Sequence, residues 1–224
     1  MATRFAVVAL VACGGTSAVT QQHAPAEPTA KACVAEGLGP LQVWASVDRT
    51  CVDDNACERR CYDGVPRACL VHAYAQQEAG ADSDQWFARA CQLGSANACT
   101  NLGASLWLRR RSASEADTAC AKRLFERACQ AREPFGCGMA GRMLAAEATT
   151  PAQREAARRK FDDACNAFGA MSCRMYALHL ENGDLGPHEP ATVRALMLRA
   201  CNTGDEDACG HETADETFVP AADP

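Results

Sequence analysis

Fifteen cysteines in 224 residues make thiol chemistry the first question. Ten of them form five pairs of identical spacing: Cys61 and Cys69, Cys91 and Cys99, Cys129 and Cys137, Cys165 and Cys173, Cys201 and Cys209. Three chemistries use cysteine at such density: zinc ligation by thiolates, a redox-active dithiol, and structural disulfides. Zinc ribbons need Cys-x2-Cys knuckles and thioredoxin-like sites need Cys-x-x-Cys. Both rest on the same two-residue spacing, which does not occur, since even Cys57 and Cys61 enclose three residues. Other chemically capable residues are scattered. The histidines, His23, His72, His179, His188 and His211, form no HExxH pair, no serine has lysine three residues later, and no glycine-rich phosphate loop is present. No metal, no cofactor and no catalytic residue is therefore expected.

The elements that carry the pairs follow from geometry. Two residues eight apart on one helix lie about 12 Å apart along the axis, beyond the roughly 4.4–6.8 Å that a disulfide allows between Cα atoms. If the pairs are bonded, the chain must turn between them. The intervening residues agree: Gly64 and Pro66, Gly94, Pro134 and Gly136, Gly169, and Gly204. Each unit reads as a helix end, a tight turn and a helix start, with a disulfide stapling the corner. Four further cysteines, Cys33, Cys51, Cys57 and Cys120, lie outside the pairs, and sequence does not fix their connectivity. Cys33 is expected to bond within an N-terminal cap, to Cys51 or Cys57. Cys57 takes the place of a core residue and should face inward.

Aligned on the first cysteine, the units recur at intervals of 30, 38, 36 and 36 residues, the signature of a helical solenoid. Four residues before that cysteine stand Phe87, Phe125, Phe161 and Met197, and one residue before it Ala90, Ala128, Ala164 and Ala200. Positions three apart share a helical face, so large and small residues alternate along a buried stripe. Four residues after the second cysteine the side chain is always small: Ala73, Gly103, Gly141, Ala177. Such residues let a partner helix approach closely.

The copy ACRMYALHLENGDLGPHEPATVRALMLRAC carries a Glu181, Asn182, Gly183 loop and ends in Ala, Cys. It resembles the Sel1-like repeat, a relative of the tetratricopeptide repeat, and the seven-residue cysteine spacing resembles the Hcp-type cysteine-rich Sel1-like proteins of bacterial envelopes. The resemblance covers residues 52 to about 211. It implies an all-α fold, a right-handed α-α superhelix of helix-turn-helix repeats, with disulfides joining the second helix of one repeat to the first helix of the next. It also implies a concave face of first helices able to bind proteins or peptides, for which His72, Asn101, Arg142, Arg174 and His179 are the candidate side chains. Members of that family have been linked to penicillin binding and weak β-lactam hydrolysis, so a β-lactam or cell-wall-peptide binder with β-lactamase-type activity is the alternative expectation.

The N-terminus suggests a compartment. Arg4 precedes an apolar run, Phe5 to Ala12, and Leu10, Val11, Ala12, Cys13 resembles a bacterial lipobox, in which the cysteine is cleaved free and lipidated. The run is too short to span a bilayer. The expected organisation is a signal peptide over 1–12, lipid anchor and tether over 13–30, a cap or degenerate repeat over 31–61, the solenoid over 62–211, and an acidic tail over 212–224. Gly14 is not the Asp that commonly retains lipoproteins at the inner membrane, which favours the outer membrane. The net charge of −6, with both signs interspersed and the basic run Arg109 to Arg111 short, argues against nucleic acid as a partner. A protein or peptide partner is expected, and a membrane reached through the lipid alone.

Overall fold

The computed structural model describes residues 33–44, 51, 54–108, 114–167 and 169–210, so the expected signal peptide, Cys13, the tether, the Arg109 to Arg111 run and the acidic tail lie outside them. Among the described residues are ten helices and no strand longer than a single bridge. They are α1 (Asp54–Tyr62), α2 (Pro66–Glu78), α3 (Asp84–Gln92), α4 (Ala96–Leu108), α5 (Glu115–Gln130), α6 (Pro134–Glu147), α7 (Pro151–Asn166), α8 (Ala170–Glu181), α9 (Pro190–Asn202) and α10 (Glu206–Cys209). None is long and apolar enough to cross a membrane.

Each helix packs on its sequence neighbours, and α4 touches α6 and α6 touches α8 across repeats more than α3, α5 and α7 touch one another. The even-numbered helices are the first helices of their repeats. Of these, α4, α6 and α8 form the closer, inner row of the solenoid.

The corners have one construction. In the second copy the Ser95 N–H reaches Ala90 O and the Gly94 N–H reaches Cys91 O, both at 2.9 Å. This Schellman arrangement satisfies the last carbonyls of a helix while reversing the chain. The same pair of bonds recurs at Gly64 and Val65, at Arg132 and Glu133, and at Gly204 and Asp205. The reversal brings the five cysteine pairs to Cα separations of 4.5, 4.7, 4.4, 4.6 and 4.8 Å, all within bonding range. In the third copy the left-handed residue is Arg132, at φ 64°, and not a glycine. Gly136 sits instead in the first turn of α6, where a Cβ would stand 2.7 Å from the Ala128 methyl. Its role is close approach.

Helix starts are also legible. Proline opens α2, α6, α7 and α9, where its missing N–H has no partner to lose. Ser114 with Asp117 and Thr150 with Gln153 form capping boxes on α5 and α7. The core alternates as the small residues require. Phe125 lies so close to α4 that a Cβ on Gly103 would come within 2.8 Å of its ring, and Phe161 lies 3.1 Å from the corresponding point on Gly141.

One expectation about the unpaired cysteines needs correction: Cys33 does not bond within an N-terminal cap. Cys33 bonds Cys120, 87 residues away, and Cys51 bonds Cys57. The reason is the path of residues 33–44, which do not fold back on α1 but cross the corner between α3 and α4. There the Gln42 N–H donates to Gly94 O at 2.8 Å, and the Ala96 N–H donates to Gln42 O at 2.9 Å. The Trp44 N–H reaches the Asn97 side chain, and Arg127 on α5 donates to the carbonyls of Leu38 and Gly39. This strap delivers Cys33 to α5.

Candidate functional site

Three inner-row helices present matching faces. Ala104 and Leu108 on α4, Phe135, Met139 and Arg142 on α6, and Met171, Met175 and Leu178 on α8 recur at intervals of three or four residues, so each set forms one stripe. The stripes line an open groove of about 380 Å³, completed by Arg174, His179 and Asn182. Gly138 sets its floor. A Cβ there would meet the Ser172 hydroxyl at 2.6 Å and the Met175 methyl at 2.7 Å, so α6 and α8 approach more closely than any larger residue would allow.

Solvent reaches apolar side chains at the groove's edges: Leu108 is 62 % exposed and Met171 48 %. The cations around it are positioned by specific contacts. Arg142 lies 4.7 Å over the Trp107 ring. Arg174 donates to Asp205 at 2.8 Å and reaches Asp207 at 3.2 Å. His179 meets Asp184 at 2.6 Å and leans on the Phe161 ring.

Of the five side chains named for a binding face, the structure brings Arg142, Arg174 and His179 together. Asn101 lies on α4 about one turn before Ala104 and outside the groove lining, bonded to the Tyr74 hydroxyl and to Asn97 O. His72 is only 3 % exposed, paired with Asp54 and set edge-on to Trp86. It is a core residue and does not line an open face, because the Trp86 ring covers the side of α2 that carries it. Sequence reasoning missed the methionines. Five of the six lie between Met139 and Met197, which was a visible signal, but on a helix they read as core.

No side chain lining the groove is a hydroxyl, thiol or carboxylate. A hydroxyl and a carboxylate do meet at Thr100 and Glu133, 2.6 Å apart, but both are buried. There Glu133 caps α6, accepting from the Phe135 and Gly136 amides. Burial pushes its carboxyl above the ordinary glutamate range, against the lowering effect of those bonds. A second pocket, of about 300 Å³, is lined by Arg158, Tyr176, Leu180, Pro187, His188, Glu189 and Thr192. Its guanidinium is held by the carbonyls of Leu185 and Pro187. Among the described residues no group of three or more His, Cys, Asp or Glu is placed to hold a metal ion.

No family model and no curated protein matches the sequence. Among solved structures, the chain is similar to a protective antigen present in uropathogenic Escherichia coli strains and displaying an SLR, or Sel1-like repeat, fold. The TM-score is 0.50 and the identity 16 %, over 69 % of this chain and 34 % of that one. The match thus spans about a third of the antigen's length. At this identity the likeness speaks for the fold alone, a helical solenoid of Sel1-like repeats stapled by disulfides.

Proposed function

We propose that this stapled solenoid is a lipid-anchored scaffold of the bacterial cell envelope that holds a partner's peptide segment along the α4, α6, α8 groove. The observation that carries the reading is the groove itself: three methionines and two leucines, edged by exposed Leu108 and Met171, with Arg142, Arg174 and His179 beside them. Methionine is unbranched and polarizable, so such a surface accommodates apolar side chains of varied shape. The guanidiniums match carboxylates on the same peptide. An amphipathic segment with apolar anchors flanked by Asp or Glu is the partner chemistry that fits. The LVAC sequence ending at Cys13 supports anchoring, and the density of disulfides supports an oxidising compartment. The outer membrane is the preferred site because Gly14 follows the cysteine. A β-lactam-hydrolysing role gains no support from a groove without a nucleophile.

Panning a random peptide library against the oxidised protein tests the reading. Apolar, acidic sequences should be enriched, and Leu108→Asp with Met171→Asp should weaken them at least tenfold without changing the melting temperature. Absence of enrichment, or peptides indifferent to both substitutions, would sink it. Mass spectrometry of the mature protein tests the anchor separately: the expected result is a diacylated, N-acylated Cys13.

A further inference from the structure

The corner disulfides differ in what covers them. In the first four corners every cysteine is at most 8 % exposed. In the fifth, Cys209 is exposed and Cys201 half-buried. The bond between them holds α10, a helix of four residues. One turn of helix is not stable alone. Among the described residues, α10 is held by the staple, the buried Ala208, backbone bonds to Ala200 and Cys201, and a tie to another repeat. That tie is Arg174, reaching from the groove to Asp205, whose side chain is 7 % exposed, and to Asp207. The accessible disulfide therefore fixes the two carboxylates that neutralise a groove cation.

We propose that the Cys201–Cys209 bond is a redox latch on the groove. A dithiol reductant attacks through its thiolate at the sulfur of Cys209, the exposed residue of the pair. The Cys201 sulfur leaves as thiolate and takes up a proton, and the reductant's second thiol resolves the mixed disulfide, closing the reductant's own disulfide and freeing Cys209. Two electrons and two protons pass from the dithiol to the protein. With the staple open, α10 loses its turn, Asp205 and Asp207 withdraw, and Arg174 is left as an uncompensated cation facing the groove. The groove then binds carboxylate-bearing peptides more tightly. This last consequence rests on the groove reading given above, whereas the release of Arg174 does not.

The experiment treats the oxidised full chain with graded dithiothreitol, alkylates the freed thiols, labels arginines with phenylglyoxal and maps both by mass spectrometry. Cys201 and Cys209 should open at least tenfold faster than the eight cysteines of the other corners. Labelling of Arg174 should rise at least fivefold at that stage, with Arg158, held by its carbonyls, as the unchanged control. Asp205→Asn with Asp207→Asn, staple intact, should raise Arg174 labelling to the same degree. Corners that open together, or Arg174 labelling unchanged by either treatment, would overturn the latch. A peptide selected by panning provides the second arm. Labelling that rises while capture of that peptide stays constant supports the latch and counts against the groove as its binding site.

Discussion

Glu133 shows how much one side chain does at a corner. Its buried carboxylate receives Thr100 Oγ1 at 2.6 Å and the Gly136 N–H at 2.5 Å, joining α4 to the start of α6. Burial raises its pKa, so the folded chain keeps the proton at a pH where the unfolded chain has lost it. The sign follows: the folded state binds more protons, so this group's contribution is most favourable below the ordinary 4.5 and declines as pH rises towards the raised value. Glu133→Gln keeps an acceptor for the helix start and has no proton to lose. Urea titrations from pH 4.5 upward should therefore show a flatter stability profile than the parent's, and an unchanged slope would refute the assignment. Glu133→Ala, which leaves the Phe135 and Gly136 amides without their side-chain acceptor, should cost about 1–2 kcal/mol across the range.

At the level of elements, the strap raises the question of why residues 33–44 dock on the second corner. The N–H that donates to Gln42 O is the first amide of α4, and Ala96 supplies it. In the first and third corners the equivalent residues are Pro66 and Pro134, which have no N–H. Proline is well suited to a first helical position, so Ala96→Pro should leave α4 intact while removing that bond. The expected outcome is a loss of about 1 kcal/mol and faster hydrogen exchange at the Gln42 amide, whose acceptor Gly94 O stays in place. Unchanged exchange would show that the strap does not depend on this pairing. The same contrast explains what the residues announced and what they did not. The corners were legible because cysteine spacing, glycine and proline are side-chain signals of a local event. The strap is held largely by backbone bonds, and such bonds leave no mark on residue type. Arg132 hid a left-handed turn for the same reason, since the corner's hydrogen bonds impose the conformation on a residue that does not favour it. The groove was half legible: charge singled out Arg142, Arg174 and His179, but methionine on a helix signals core and binding surface alike.

Across the whole molecule, two kinds of disulfide act at different ranges. A corner staple closes eight residues of separation, whereas Cys33–Cys120 closes 87 and ties the strap to α5 over the second repeat. Solenoids are held by neighbour contacts and can open one repeat at a time. A corner staple limits the swing of one junction. The long bond ties distant parts of the chain together, so the α1 to α4 segment cannot drift from α5 in the unfolded ensemble. In the chain-entropy account the cost of removal grows with the logarithm of loop length, giving about 2.6 kcal/mol for one corner and about 4.6 kcal/mol for the long bond. Guanidinium unfolding of Cys33→Ala with Cys120→Ala should therefore lose more stability than Cys91→Ala with Cys99→Ala, by roughly 2 kcal/mol. The corner variant should also keep the strap's exchange protection, because Gly94 and Ala96 hold Gln42 through backbone bonds that need no sulfur. A corner variant that proves the costlier of the two would mean that native packing at the junction, and not chain entropy, dominates what these bonds contribute.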